Sequence, residues 1–269
     1  MGKLLIAGKW VDGASSQRLN DKYTGAAYGE MAVASPAQVD SAVDGAVRGE
    51  ARSTLTPYQR FKALSSAARI VESRLESLIE LMRHEAGFTR ADGDNEVRRC
   101  VQTLELSAEE AKRLNGEIVP MRAGEAVKDR IGFTMRTPRG VVCSITPFNS
   151  PLNVLAHKVG PALAGGNSVV IKPSEFTPLT AVELCKALID AGLPPDLLAL
   201  VHGDGSVVGR QLLADQRIAF YAFTGSTRVG REIQQAAGLR RTQLELGSIA
   251  STIVCHDANV DTAVPKILN

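Results

Sequence analysis

From Gly140 to Leu246 the chain switches repeatedly between short apolar runs and longer amphipathic ones, with Gly or Pro at most switches. Residues 140–145, 168–172, 197–201, 218–223 and 242–246 read as strands. Residues 151–164, 178–191, 206–214 and 227–237 read as helices. Strands separated by helices must run parallel, because each crossover returns the chain to the same end of the sheet. The expected fold is therefore α/β: a doubly wound, mostly parallel sheet with helices on both faces.

The residues before this block are organised differently. Leu4–Ala7 and Trp10–Val11, joined through Gly8-Lys9, read as a hairpin. Ser35-Pro36 opens a helix, with Ser as N-cap and Pro in the first turn. Leu64, Ala67, Ala68, Val71, Leu75, Leu78, Ile79 and Met82 recur at spacings of three and four and predict one longer helical region. A third helix is expected from about Asp94 to Leu114. From Ile118 to Arg139 the pattern turns to period two, as for β structure, and Pro138 ends it.

Composition excludes several classes. With 269 residues, 44% of them hydrophobic, the chain can bury a real core. The net charge is +2, and no basic stripe marks a nucleic-acid face. The apolar run at Met1–Gly8 is too short for a signal peptide, and no stretch reaches the length of a membrane span. Cys100, Cys143, Cys185 and Cys255 show no metal-ligand spacing, so no metal site is expected. They read as reduced structural thiols of a cytoplasmic protein, with Cys255 on a buried strand, 252–255.

In a doubly wound sheet, ligands sit at the carboxyl ends of the strands. Several motifs fall there. In Phe223-Thr-Gly-Ser-Thr-Arg-Val-Gly230, Gly225 permits a tight turn. Ser226 then caps a helix whose free N–H groups suit a phosphate, though an ordinary helix cap looks the same. Gly203-Asp-Gly-Ser-Val-Val-Gly209 is a glycine loop, but it is not the GxGxxG fingerprint. Lys172 and Glu175 follow an apolar strand. The lysine suits ribose hydroxyls or phosphate, and the carboxylate suits a ribose 2′-OH and repels a 2′-phosphate; a surface ion pair is the other reading. Asn149 lies between Pro147 and Pro151, either as a preorganised amide for an oxyanion or as a turn former. Glu245, between Leu244 and Leu246, is either a buried general base of raised pKa or an edge-strand Glu facing solvent.

Taken in order, these motifs resemble the aldehyde dehydrogenase superfamily from Gly8-Lys-Trp-Val-Asp-Gly13 through Pro161–Asn167 to Leu244-Glu-Leu-Gly247. The resemblance implies an NAD domain of Rossmann-like form from residues 1–119 and 143–249. It further implies an oligomerisation β segment at 120–142 and the start of a catalytic domain at 250–269. Asn149 matches the oxyanion-hole asparagine and Glu245 the general base. Lys172 and Glu175 match the groups that hold the adenosine ribose, and Glu175 favours NAD over NADP. Gly205 and Gly209 match the loop beside the adenine. Phe223, Gly225, Ser226 and Val229 match the turn under the pyrophosphate. Ile145, Thr146, Pro147 and Phe148 match the wall by the ribose and nicotinamide, where Leu246 and Gly247 also belong. Asn153, Val154 and His157 lie where the family's aldehyde tunnel runs, although His157 also reads as a packing histidine.

The implied reaction is the oxidation of an aldehyde to an acid through a cysteine thioester, in a homodimer or homotetramer. The family's nucleophilic cysteine is expected downstream of Asn269, so this chain alone is expected to be inactive. Phe148 replaces the family's usual Trp, and Ser248 its second Gly after Glu-Leu-Gly. A second reading is an NAD-binding and assembly module without catalysis. A third, a coenzyme-A-acylating dehydrogenase, conflicts with a water-activating Glu245.

Overall fold

The computed structural model describes residues 2–123 and 130–268. In chain order the first elements are strands β1 (Leu4–Ile6), β2 (Lys9–Val11), β3 (Ser15–Asn20) and β4 (Ala27–Val33). Helices α1 (Pro36–Arg52), α2 (Pro57–Ser73), α3 (Leu75–Ala86) and α4 (Arg90–Ala111) follow, then the short strands β5 (Ile118–Val119) and β6 (Gly132–Phe133). The alternating block supplies β7 (Val141–Ile145), α5 (Asn153–Ala164), β8 (Ser168–Lys172), α6 (Pro178–Asp190), β9 (Leu198–Leu200), α7 (Arg210–Ala214), β10 (Ile218–Gly225), α8 (Thr227–Ala237) and β11 (Arg241–Leu246). Helix α9 (Val260–Ile267) comes last.

Seven strands form one sheet in the order β11-β10-β7-β8-β9-β1-β2. The five strands of the alternating block are parallel, as expected. Side chains alternate between two cores. Val142, Val169, Ile171, Leu198, Leu200 and Ala222 face α2 to α6. Val141, Cys143, Val170, Ala199, Tyr221 and Phe223 face α1, α7 and α8. The sheet is thus doubly wound. The N-terminal hairpin turns at Ala7 and Gly8, both at positive φ, as a two-residue hairpin turn requires. It joins the sheet antiparallel to β9, a placement the sequence reading did not include.

Local rules account for α1. The Ser35 hydroxyl accepts from the Gln38 N–H, and the Gln38 side chain accepts from the Ser35 N–H. That reciprocal pair is a capping box. At its other end Gly49 lies so close to the 195–197 turn that a Cβ would stand 2.2 Å from the Asp196 carbonyl oxygen.

Three expectations need correction. The region from Leu64 to Met82 is two helices, not one. Arg74, at φ −98° and ψ 13°, ends α2, and its guanidinium turns to Asp190 and Glu183 on α6. Period-two structure between 118 and 139 reduces to the β5–β6 pair; residues 124–129 of the expected oligomerisation segment lie outside the described residues. The strand expected at 252–255 is irregular and exposed, and Cys255 is exposed with it. Beyond β11 no described strand pairs with this stretch, so no sheet buries it.

Candidate functional site

The chain runs β7, β8, β9 outward on one side of β7, then crosses to place β10 and β11 on the other. That reversal is a topological switch point, where open α/β sheets bind ligands beyond their strand ends. A cavity of about 350 Å³ lies at the carboxyl ends. Ile145, Lys172, Glu175, Gly205, Gly209 and Val229 all line it. Sequence reasoning named all six, from four different loops.

Lys172 ends a fully buried strand and is itself buried. Its Nζ donates to the Pro173 carbonyl at 3.1 Å and to Glu175 Oε2 at 3.3 Å. The pair is therefore not a surface ion pair: one member is enclosed and the other half-exposed at the cavity. Asp204 caps the turn at Gly205–Gly209 by accepting from the Ser206 N–H at 2.6 Å. Gly209 has ordinary helical angles, φ −61° and ψ −47°. It is buried, yet apart from its chain neighbours and its own helix backbone no atom lies within 4 Å of where its Cβ would stand. Neither backbone strain nor protein packing requires glycine there, and the open space belongs to the cavity.

The other named residues sit nearby without lining that cavity. Ser226 caps α8, its hydroxyl accepting from the Val229 N–H at 3.3 Å. A Cβ on Gly225 would meet the Phe223 ring at 2.5 Å. Leu246 packs against the start of α8, where a Cβ on Gly230 would fall 2.4 Å from it, and Gly247 lies beside Thr227. Thr146 is buried, its N–H donating to the Lys172 carbonyl at 3.3 Å. Pro147 is half-buried. Phe148 is exposed and meets Phe176 edge-on at 5.8 Å, which ties the Asn149 turn to the loop after β8. Asn149 is exposed.

Glu245 is exposed on edge strand β11, so the burial invoked for it is absent. The reason is alternation. Thr242 and Leu244 face α8 and are half-buried, while Arg241, Gln243 and Glu245 project from the opposite face. On that face lies a second cavity of about 480 Å³, lined by His157, Lys158, Phe220, Arg241 and Gln243 among others. Burial pushes the Lys158 ammonium down to about 8, against the pull of the Glu245 carboxylate. Burial also lowers His157, with Arg99 and Lys158 adding to the effect.

Sequence reasoning missed three charged residues. Lys158 is buried on α5, Glu96 on α4 and Glu85 on α3. Each falls on the apolar stripe of its helix: Glu96 lies between Gly93 and Cys100, and Glu85 follows Leu78, Ile79 and Met82. A charge on a buried stripe was the available signal. Glu85 accepts from the N–H groups of Leu179 and Thr180 and from the Thr180 hydroxyl, closing the start of α6. Burial raises its pKa to about 7. Cys100, Cys143 and Cys185 are buried, and burial pushes the thiols of Cys143 and Cys185 up to about 12. Among the described residues no cluster of His, Cys, Asp or Glu is arranged to hold a metal ion.

A doubly wound sheet with a groove beyond its switch point, walled by a lysine, a carboxylate and glycine turns, is an architecture suited to a nucleotide ligand. Residues 10–269 match the model of the aldehyde dehydrogenase family. The chain belongs to that family. It is 42% identical over 264 residues to 3-sulfolactaldehyde dehydrogenase of Priestia aryabhattai, covering 98% of this chain and 55% of that protein. The NADP-dependent glyceraldehyde-3-phosphate dehydrogenase of Bacillus halodurans C-125, complexed with NADP, superposes with a TM-score of 0.95 at 32% identity, covering 99% of this chain and 57% of that one. An NAD-dependent aldehyde dehydrogenase from Sinorhizobium meliloti superposes at 0.91 and 32% identity, covering 99% and 54%. The chain thus spans about half the length of these relatives.

Proposed function

We propose that this chain forms the dinucleotide-binding part of a dehydrogenase that oxidises an aldehyde to its acid, with NAD as the preferred cofactor. The observation that carries this reading is the groove itself. Lys172, Glu175 and a glycine turn with unfilled space converge there from separate strands.

In this reading Lys172 and Glu175 take the adenosine ribose, with the Glu175 carboxylate disfavouring a 2′-phosphate. Gly205 and Gly209 leave room for the adenine. The α8 N-terminus, with Ser226 and Val229, faces the pyrophosphate. Ile145, Thr146, Pro147, Phe148, Leu246 and Gly247 wall the nicotinamide end. Bound NAD supplies a hydride acceptor. Asn149 donates its amide N–H to the carbonyl oxygen of the substrate as negative charge develops there. Glu245 takes a proton from the water that releases the acid. The buried Lys158 ammonium lines the cavity on the same face of β11, and the Glu245 carboxylate opposes the fall of its pKa. The nucleophile is taken to be a cysteine downstream of Asn269, where the family resemblance puts it: Cys100, Cys143 and Cys185 are buried, and Cys255, though exposed, lies only ten residues past Glu245. The working protein is a cytoplasmic homodimer or homotetramer.

Two measurements test this. Titration of the chain with NAD and NADP by calorimetry should show the tighter binding for NAD; no binding of either would end the reading. The full-length polypeptide should reduce NAD with an aldehyde present. A panel of small aldehydes including 3-sulfolactaldehyde, named for the Priestia relative, is the place to start.

A further inference from the structure

Asn149 makes no side-chain hydrogen bond among the described residues, and its side chain is exposed. Its aim must therefore come from the backbone on either side. Upstream, Thr146 is fixed to Lys172 of the neighbouring strand. Downstream, one side chain holds the Ser150 hydroxyl and two backbone N–H groups, while Thr103 Oγ1 separately donates to Asn153 Oδ1 at 2.9 Å. Ser150 Oγ donates to both carboxylate oxygens of Glu96, at 2.8 and 2.9 Å. The Leu152 and Asn153 N–H groups donate to Glu96 Oε1 at 3.1 and 2.8 Å.

Helix α5 needs this partner. Its N-cap position is Leu152, which has no side chain able to accept, and Pro151 has no N–H to offer. The free N–H groups of a helix start must be satisfied from elsewhere. Glu96 does so from α4, across 56 residues of sequence for Leu152. An anionic acceptor at a helix N-terminus is favoured by the dipole and makes short, strong bonds. Burying a carboxylate is costly unless it is hydrogen-bonded. Among the described residues Glu96 makes no salt bridge, so its bonds to this turn are what balance its burial.

We propose that Glu96 is a positioning residue: it anchors the turn that carries Asn149 and so sets where the amide points. Only Pro147, Phe148 and Asn149 lie between the Thr146 anchor and the Ser150 anchor, and the φ of Pro147 is fixed. This rests on the proposed oxyanion role of Asn149.

The test uses the full-length enzyme with Glu96→Ala, Glu96→Gln, Asn149→Ala and the double variant Glu96→Ala/Asn149→Ala. Amide hydrogen exchange over residues 149–156 needs no turnover. It should speed up at least about tenfold in Glu96→Ala, in line with local opening of an uncapped helix start. The kcat should fall about tenfold to a hundredfold, the scale of a misplaced catalytic group, while the Kd for NAD stays within about twofold. Glu96→Gln can still accept from both N–H groups and should recover most of the activity. In the Asn149→Ala background, removing Glu96 should cost no further kcat, because residues acting through one another are not additive. Additive losses, or exchange unchanged at 149–156, would overturn the proposal. Should Glu96→Ala not fold, Ser150→Ala removes two of the four bonds and leaves the helix cap; it should show the same exchange effect at smaller size. A wild-type enzyme without turnover would sink the dehydrogenase reading, and the exchange result would then decide the anchoring by itself.

Discussion

Gly209 offers a test in which one methyl group should move two properties in opposite directions. The residue has helical angles and, its chain neighbours and own helix backbone apart, no neighbour within 4 Å of a Cβ position. Replacing glycine by alanine at such a site stabilises by about 0.5–1 kcal/mol, through backbone entropy. For a domain of this size that raises the apo Tm by roughly 1–4 °C. The same methyl enters the groove proposed for the adenine. A tenfold loss of affinity corresponds to about 1.4 kcal/mol. With NAD at about a hundred times the wild-type Kd, binding stabilises the wild type by about 2.7 kcal/mol and the variant by only about 1.4 kcal/mol. Thermal melts of Gly209→Ala with and without NAD should therefore start higher and gain about half as much. An apo Tm that falls would mean that packing needs the glycine after all. An NAD-induced shift that survives intact would mean that NAD does not bind in this groove.

Four further outcomes are expected. Glu175→Gln should raise the affinity for NADP relative to NAD by about tenfold, since it removes a partly screened carboxylate–phosphate repulsion; paired titrations would check it. Glu85 carries a folded pKa raised from 4.5 to about 7, so its stabilising contribution is complete below the lower value and lost as pH rises through the upper one. Melts of Glu85→Gln from pH 4.5 to 8 should lack that decline while wild type shows it. Gly49→Ala places a Cβ 2.2 Å from a backbone oxygen and should destabilise by about 1–3 kcal/mol in urea unfolding. A thiol reagent should label Cys255 in the native chain within minutes and reach Cys100, Cys143 and Cys185 only on unfolding; prompt labelling of a second thiol would contradict the described core.

What the sequence disclosed was local or periodic. Ser35-Pro36 announces α1 because its cap bonds lie within four residues. The strand ends that line the groove were readable because Lys172, Glu175 and the glycine turns each follow an apolar run directly. The alternation of Val169, Val170 and Ile171 between two cores also follows from pleat geometry. What stayed hidden depends on distant partners. Glu96 and Glu85 look like ordinary helix charges until α5 and α6 arrive over them. Arg74 breaks a continuous apolar stripe because its guanidinium finds acids on α6. Glu245 has leucine neighbours on both sides, but in a strand those neighbours face the other way. The apolar run at 252–255 suggested a strand, yet a strand needs a partner and none of the described ones pairs with it.

The pairing of β1 with β9 joins Leu5 to Leu200, about 195 residues apart. On a ribosome adding about 5–20 residues per second, the first hairpin waits roughly 10–40 s for its mate. Throughout that interval its two strands have no sheet to join, and an isolated two-stranded hairpin is marginal in water. The order of synthesis and the order of closure therefore differ: β1 is made long before β9 and cannot dock until β9 has emerged. Such long-range pairing slows folding, and it makes the N-terminal hairpin a latch that closes only after β9 is in place.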